Sequence, residues 1–367
     1  MTSEVKDPTR LQRLLAESIQ TYLSGQEEIG VSAALAVGDA RALQASGLAD
    51  RENQTPVRED TLFIIGSVQK VFTNTLAAAR VIEGRMSLEE PIVRFLPPEV
   101  RKEGSVIRQV TPANLGTMTA AMPTANVPGQ PAAALYRGEP PTPQLLDFWK
   151  EFNPERHIGT SYQYSNVSEV TQGFTMVGAA ERSYPELFAR DLQGPLEMTD
   201  TLVDLKGIGP QRIAQGYTAE GKRIGFRGVG FNSTATDMLR FLEGNLFRVL
   251  SMPLLTYRAM CLAHEPRFQI SPGHAIGLGW YVTEVGSGAR LVSKAGGNGG
   301  FLAWAGFIPQ RSAALVLLTN GHLSGSGHKS LPATGKALLL KAAGLDPAVL
   351  AGLEDADEGL LQEEVGA

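Results

Sequence analysis

The sequence is poor in cysteine and histidine, which argues against several kinds of site. Its 367 residues include one cysteine, Cys261, so neither an intramolecular disulfide nor a zinc site built from cysteines can form. The five histidines lack the H-E-x-x-H pattern and any similarly tight ligand spacing. We therefore expect no metal and no other cofactor, and we interpret the histidines as scattered surface or loop residues: His157, His264, His274, His322 and His328.

Long apolar runs and a large excess of one charge are also missing. No stretch approaches the ~18 apolar residues of a membrane span, and residues 1–7 lack the apolar core of a signal peptide. The formal charge is −5, and residues 346–367 hold seven acids and no base, so the rest of the chain is nearly neutral. We therefore expect a cytoplasmic protein that binds neither membranes nor nucleic acid.

What is present is an ordinary globular composition with 43% hydrophobic residues and 40 glycines. Asp7-Pro8, followed by an amphipathic stretch that ends at Gly25, predicts a capped helix. Apolar alternation over 31–37 and a short segment near 41–48 predict a β-hairpin. Strand-like runs recur far downstream, at Gly279–Val285, Arg290–Ser293, Phe301–Ile308 and Ala313–Thr319.

The early hairpin and the late strands close most simply into one antiparallel sheet, which leaves the middle of the chain as a long insertion. We therefore predict an α+β fold, an antiparallel sheet flanked by helices with a large, mainly helical insertion. Residues 1–65 and 271–345 form its discontinuous α/β domain, and residues 66–270 form the helical domain. The acidic residues 346–367 are expected to be a solvated tail, with a frayed helix as the alternative.

Ser67 and Lys70 lie at the start of a predicted helix that stops near Gly84. Because they are three residues apart, the hydroxyl and the amine share one helix face. The helix dipole favours an oxyanion at this position and disfavours a cation, so Lys70 can accept the serine proton. S-x-x-K also occurs by chance at solvated helix starts, so the motif needs support from elsewhere in the chain.

Tyr164-Ser165-Asn166 supplies part of that support. In extended backbone, Tyr164 and Asn166 project to the same side, so that one can move a proton while the other holds a substrate carbonyl. The alternative is a helix cap at Ser165 or Asn166 with a packed tyrosine.

Ser293-Lys294-Ala295-Gly296-Gly297-Asn298 supplies the rest. A lysine on an edge strand beside small residues can present a cation to a carboxylate, and the Gly297 N–H can form an oxyanion pair with that of Ser67. A glycine-rich hairpin turn is the alternative interpretation of this segment.

Together, S-x-x-K, Y-x-N and K-x-G in this order resemble the penicillin-recognising serine enzymes. With Tyr-Ser-Asn in the middle, the chain is similar to class C β-lactamases and their penicillin-binding-protein-like relatives: D,D-peptidases, D-aminopeptidases, family VIII carboxylesterases and LovD-type acyltransferases. The resemblance covers most of residues 20–345. Further similar strings are Glu83-Gly84-Arg85, Ser233-Thr234-Ala235-Thr236-Asp237-Met238, Gly277-Leu278-Gly279-Trp280, Gly299-Gly300-Phe301 and Phe307-Ile308-Pro309.

The resemblance implies a β-lactamase/transpeptidase-like fold and a role for each motif residue. Ser67 is the implied nucleophile, Lys70 its proton acceptor, and Tyr164 the residue that delivers a proton to the leaving group. Asn166 is implied to hold the substrate carbonyl, and Lys294 to assist Tyr164 and attract an anionic group. The segment formed by Ala295, Gly296, Gly297 and Asn298 is implied to bind substrate and the oxyanion.

The chain departs from the β-lactamase pattern at Ala295, where those enzymes carry threonine. One lost neutral hydroxyl is worth on the order of 0.5–1.5 kcal/mol. The segment between Tyr217 and Ser233 is also shorter than its class C counterpart. In addition, antibiotics and cell-wall peptides are met outside the cytoplasm, whereas we expect this protein inside it. These departures favour small esters and amides over β-lactams as substrates.

The resulting expectation is a serine hydrolase that acts through an acyl-enzyme on a small-molecule ester or amide, with β-lactams among the candidates. One alternative is an acyltransferase that passes the same acyl group to an alcohol or amine. Another is a non-catalytic ligand-binding member of the fold, although such a protein has no chemical reason to keep all four reactive side chains. The oligomeric state is not predicted.

Overall fold

The computed structural model describes residues 7–126, 129, 131–224, 230–322 and 330–351. The α-helices of this part of the chain are α1 (Pro8–Leu23), α2 (Lys70–Ile82), α3 (Pro112–Gly116), α4 (Ala132–Tyr136), α5 (Pro143–Glu151), α6 (Asn166–Ala180), α7 (Tyr184–Phe188), α8 (Ala235–Asn245), α9 (Leu254–Ala263) and α10 (Leu331–Ala342). Its strands are β1 (Val31–Val37), β2 (Ala40–Ser46), β3 (Leu48–Asp50), β4 (Thr55–Pro56), β5 (Phe63–Ile64), β6 (Asn232–Ser233), β7 (Phe268–Ser271), β8 (His274–Ile276), β9 (Tyr281–Glu284), β10 (Arg290–Asn298), β11 (Phe301–Ile308) and β12 (Ala313–Thr319).

The chain divides into two compact units. Unit 1 contains the described residues up to Gln69, Leu196–Leu250, and those from Thr283 onward, whereas unit 2 contains Lys70–Pro195 and Ser251–Val282. This division differs from the predicted domains, because residues 196–250 group with the sheet rather than with the helical insertion. The reason is long-range packing: β6 pairs with β5, and α8 packs against β1 and β12.

Unit 1 is built on an antiparallel sheet in which β2, β1, β12, β11 and β10 are consecutive neighbours. Helix α1 begins as predicted, with the Asp7 carboxylate accepting a hydrogen bond from the Thr9 backbone N–H. Leu11, Leu15 and Ile19 of α1 join the apolar residues of the sheet and of α10 in one core. The predicted hairpin and late strands therefore do form one sheet.

Strand β1 is buried at all seven positions, so both faces of the sheet are covered here. Val31, Ala33, Leu35 and Val37 belong to the core shared with α1 and α10. The intervening residues are small, which lets α8 approach β1 and β12 closely. The apolar alternation of the sequence thus marks the large core side chains, whereas the small residues between them pack under a second helix.

Unit 2 is mainly helical and has α2 as its central element. Helix α2 is buried at every position from Lys70 to Arg80 and packs against α6 and α9. It ends near Gly84, whose φ of +72° suits the left-handed residue that commonly follows a helix. Among the described residues, no helix has both the length and the apolar character required to cross a membrane.

Of the predicted acidic tail, the structure describes residues 346–351, with a short 3-10 turn at Pro347–Leu350. Residues 352–367 lie outside the described part of the chain, so the prediction of a solvated tail stays a prediction.

Candidate active site

Ser67 lies in a 3-10 turn, Gly66–Gln69, that leads directly into α2. The turn follows β5, and the Val68 N–H donates to the Ile65 carbonyl at 3.2 Å. Gly66 has a φ of +50°, a conformation that favours glycine. The serine is 6% exposed, and Lys70 follows it by three residues, as the sequence predicts.

Within unit 1, the backbone on either side of Ser67 lies against β10. A Cβ atom on Gly66 would lie 2.8 Å from the Gly297 nitrogen and 2.7 Å from its carbonyl oxygen. A Cβ atom on Gly296 would lie 2.6 Å from the Ser67 nitrogen. Glycine at both positions therefore brings the amide nitrogens of Ser67 and Gly297 into one region, the arrangement that an oxyanion site needs.

The glycine-rich segment is mostly strand, not turn. Gly296 and Gly297 are paired with Ala303 and Leu302 on β11, and the hairpin turn is confined to Gly299 and Gly300. Asn298 is half-buried at the end of β10.

Lys294 lies in the middle of β10 and is 1% exposed. The sequence predicts an edge strand here, but β10 is an inner strand of the sheet. It lies between β11 and β9, whose last two residues belong to unit 1. Strand periodicity directs Ala295 to the opposite face from Lys294, and its side chain joins the hydrophobic core near Trp304. A substrate role for Ala295 therefore stays a prediction that depends on its backbone.

A second segment of unit 1 supports the serine turn. The Phe231 carbonyl accepts a hydrogen bond from the Ile65 N–H, and the Gln69 Oε1 accepts one from the Phe231 N–H at 3.0 Å. Glycine is favoured at Gly230, because its φ is +114° and a Cβ atom there would lie 2.2 Å from that same Gln69 oxygen. Gln69 therefore has a structural role that its place inside the S-x-x-K motif does not reveal.

Lys70 and Tyr164 come together in unit 2. The Lys70 Nζ lies 4.8 Å from the centroid of the Tyr164 ring, and the two residues are 3% and 6% exposed. A cation over an aromatic face at this distance is electrostatically favourable. The amine and the phenol of the predicted acid/base pair thus share one buried environment.

The Tyr164-Ser165-Asn166 segment combines the two interpretations drawn from the sequence. Ser165 is the N-cap of α6, and its Oγ accepts a hydrogen bond from the Ser168 N–H. Tyr164 precedes the cap and is packed, whereas Asn166 is the first helical residue and is half-buried. Asn166 is therefore placed by the start of a helix rather than by a continuous extended segment.

Sequence reasoning missed a polar network behind Lys70. Asn74, one turn further along α2, donates from Nδ2 to the Lys70 carbonyl at 2.9 Å and to the Glu169 Oε2 at 3.3 Å. Glu169 lies on α6 and is 2% exposed. The available signal was an acidic residue among the apolar residues of a helix, Val167, Val170 and Phe174, where a charge is costly unless it has partners.

Comparisons with known proteins identify the family of the chain. The family model described as Beta-lactamase matches residues 15–338. A beta-lactamase of Pseudomonas fluorescens is 24% identical over 350 residues, which cover 85% of this chain and 94% of that protein. A beta-lactamase of Lysobacter lactamgenus is 27% identical over 366 residues, covering 90% of this chain and 89% of its own.

Solved structures have the same fold. A class C beta-lactamase superimposes with a TM-score of 0.78 at 21% identity, covering 95% of this chain and 98% of that one. A beta-lactamase/D-alanine carboxypeptidase from Pseudomonas syringae gives a TM-score of 0.76 at 22% identity, covering 94% of this chain and all of its own. The predicted antiparallel sheet flanked by helices is thereby confirmed as a β-lactamase/transpeptidase-like fold. Because the family model spans most of the sequence, the chain belongs to the beta-lactamase family of serine hydrolases, with the fold of the class C enzymes.

Proposed function

We propose that the protein hydrolyses a small-molecule ester or amide through an acyl-enzyme on Ser67. The observation that carries this proposal is the approach of Gly296 to the serine turn, which places the amide nitrogens of Ser67 and Gly297 close to the nucleophile. Preorganised N–H donors at the developing oxyanion are among the largest contributions to acyl-transfer catalysis.

In the proposed reaction, the Ser67 Oγ attacks the substrate carbonyl carbon while its proton passes to Lys70. Two N–H groups, of Ser67 and Gly297, stabilise the oxyanion, and Asn166 holds the substrate. Tyr164 donates a proton to the leaving alcohol or amine as its bond to the acyl carbon breaks. Water then attacks the ester on Ser67 and releases the acid, with the proton transfers reversed.

We place short esters before β-lactams as substrates. The relatives are named beta-lactamases, so β-lactam hydrolysis is one candidate activity. However, Ala295 has no hydroxyl for a substrate carboxylate, and its methyl group is in the core. Penicillins and cephalosporins carry such a carboxylate, and the Ala295 side chain offers it no hydrogen bond, so we expect the short ester to be the faster substrate.

The proposal is tested by intact-mass spectrometry after exposure to a fluorophosphonate, to nitrocefin and to p-nitrophenyl butyrate. We expect one adduct on Ser67, none in Ser67→Ala, and faster turnover of the ester than of nitrocefin. Ser87→Ala is the matched control, because this serine is exposed in a loop. An adduct that persists in Ser67→Ala would refute the assignment of the nucleophile.

The same experiment separates hydrolysis from acyl transfer and from ligand binding. If acyl groups pass preferentially to an added alcohol or amine, the protein is a transacylase. If no probe forms an adduct with a folded protein, the non-catalytic alternative is correct. The water-versus-acceptor ratio is measured from the products of p-nitrophenyl butyrate with and without the added acceptor.

A further inference from the structure

Glu169 is a buried acid in the interior of unit 2. Removing a carboxylate from water is costly unless hydrogen bonds and opposite charge compensate. Asn74 and Tyr136 both donate to it: Asn74 Nδ2 reaches Oε2 at 3.3 Å, and the Tyr136 hydroxyl reaches Oε1 at 3.5 Å. Both partners are donors, which suits an ionised carboxylate.

Asn74 is held in one orientation between Glu169 and Lys70. Its Oδ1 accepts from the Gln172 Nε2 at 3.5 Å, so its Nδ2 is the atom that points to Glu169 and to the Lys70 carbonyl. The amide also lies between two glycines. A Cβ atom on Gly116 would lie 2.9 Å from its Oδ1, and one on Gly279 would lie 2.9 Å from its Nδ2.

Two buried tyrosines lie in the field of Glu169. Burial raises the pKa of Tyr136 well above its usual range, and the negative Glu169 raises it further. Burial and then Glu169 have the same effect on the pKa of Tyr184, whose hydroxyl also shares a hydrogen bond with Thr73 at 2.9 Å. Both phenols therefore stay protonated and do not titrate between pH 5 and 10.

We propose that Glu169 is a positioning residue, which fixes the Lys70 backbone at the start of α2 through Asn74 and supplies negative charge to the buried surroundings of the Lys70 amine, where it favours proton uptake. This inference rests on the proposed function, in which Lys70 accepts the proton of Ser67. Nearby opposite charge favours the protonated form of an amine and makes it a stronger base.

Titratable groups face Lys70 and Glu169 from neighbouring segments of unit 2. The Tyr164 ring faces its Nζ, and Tyr136 and Tyr184 face Glu169 from α4 and α7. Helix α3 carries no titratable side chain, and the buried residues of α9 are uncharged. Further along α2, Arg80 is paired with Asp191 and Glu83. Lys294 is the other cation of the proposed site.

The central test is the pH dependence of kcat/KM for p-nitrophenyl butyrate in Glu169→Gln, which keeps the size and an acceptor oxygen but removes the charge. We expect the plateau to fall about tenfold and the acidic limb to move to lower pH by about 0.5 unit or more, because the protonated lysine loses its stabilising charge. Glu169→Asp, which restores the charge, should return the limb to its wild-type position.

Glu243→Gln is the matched control, since Glu243 is also a buried acid but pairs with Arg41 in unit 1. Its acidic limb should not move. A uniform loss of activity in Glu169→Gln with an unmoved limb would show a purely structural role and overturn the inference, as would an equal shift in Glu243→Gln.

A second variant tests the path through Asn74 and serves if Glu169→Gln does not fold. Asn74→Ala should lower kcat with little change in KM, and the double variant with Glu169→Gln should lose no more than the larger single loss. Thr75→Ala is its control, because Thr75 also bonds the carbonyl four residues earlier on α2. An unchanged kcat in Asn74→Ala, or fully additive losses in the double variant, would show that Glu169 does not act on Lys70 through Asn74.

Failure of this inference is distinguishable from failure of the proposed function. Fluorophosphonate labelling of wild-type Ser67 is measured first. If Ser67 does not label, the proposed function is wrong. If it labels and the limb of Glu169→Gln stays in place, only the role of Glu169 is wrong.

Discussion

Each unit carries candidate residues of a different kind. In unit 1, beside the Ser67 hydroxyl, the predicted oxyanion donors are backbone groups: Gly66 and Gly296 bring two amide nitrogens together because neither has a side chain. In unit 2 the predicted groups are side chains: Lys70, Tyr164 and the network through Asn74 to Glu169. The first is damaged by adding a methyl group, whereas the second is damaged by removing a functional group.

The largest effect should come from adding that methyl group in unit 1. Gly66→Ala places a Cβ atom within 3 Å of Gly297 and is expected to lower kcat about 1,000-fold, because the donors move away from the oxyanion. Gly25→Ala is the control, since Gly25 also has a positive φ but has no atom within 4 Å of its Cβ position. Activity of Gly66→Ala within tenfold of wild type would contradict the backbone interpretation.

On the unit 2 side, removing one hydroxyl should have the next largest effect. Tyr164→Phe is expected to lower kcat about 100-fold, the usual contribution of a positioned proton donor, while the ring keeps its packing. Tyr162→Phe is the control; its hydroxyl is bonded to that of Tyr281 rather than placed beside Lys70. The kcat of both variants is measured by steady-state kinetics on p-nitrophenyl butyrate. An equal loss of kcat in the two variants would show that Tyr164 has no specific role.

Lys294 tests whether unit 1 contributes a second side chain, besides that of Ser67, to the chemistry. Lys294→Ala is expected to lower kcat about tenfold for a neutral ester and for its carboxylate-bearing analogue alike, as a group acting on the chemical step does. Lys336→Ala, another buried lysine of unit 1, should leave both unchanged. A higher KM for the anionic ester alone, with an unchanged pH profile for the neutral one, would make Lys294 a binding residue.

The smallest effect is expected from a half-buried histidine of unit 2 outside the site. Burial lowers the pKa of His264 to about 4, so between pH 4 and its usual value near 6.5 the unfolded chain binds a proton that the folded chain does not. Stability is therefore lost as the pH falls through this window. His264→Gln should lose less Tm than wild type between pH 7 and 4.5, with kcat unchanged.

The exposed His157 provides the control for that experiment. His157→Gln should follow the wild-type Tm at every pH. If His264→Gln and wild type lose the same Tm on acidification, burial of His264 does not contribute to acid sensitivity.

Local patterns in the sequence were enough to predict much of the fold. The cap at Asp7, the strand at 31–37 and the bounds of β11 and β12 follow from turn residues and periodicity, and the structure confirms each one. The placement of residues 196–250 did not follow, because it depends on which distant strands α8 and β6 meet. No periodicity within the segment carries that information.

For the site, too, local patterns predict the motifs but not their long-range packing. Motif spacing singled out Ser67 and Lys70, and the structure brings Lys70 to Tyr164. The order of strands, which places β10 inside the sheet, and the hydrogen bonds of Asn74 are tertiary facts that spacing cannot supply. The assigned roles of the site residues stay predictions until the variants are measured.

The pairing of β1 with β12 has a consequence for biosynthesis. As the chain leaves the ribosome, the hairpin of β1 and β2 can form early, but β1 keeps one unpaired edge until the last strand has been made. The turn that carries Ser67 likewise meets Gly296 only after most of the chain has been made. Pairing between such distant segments makes folding slow. The nascent chain therefore exposes an unpaired, aggregation-prone strand edge for most of its synthesis, and we expect it to depend on chaperones during translation.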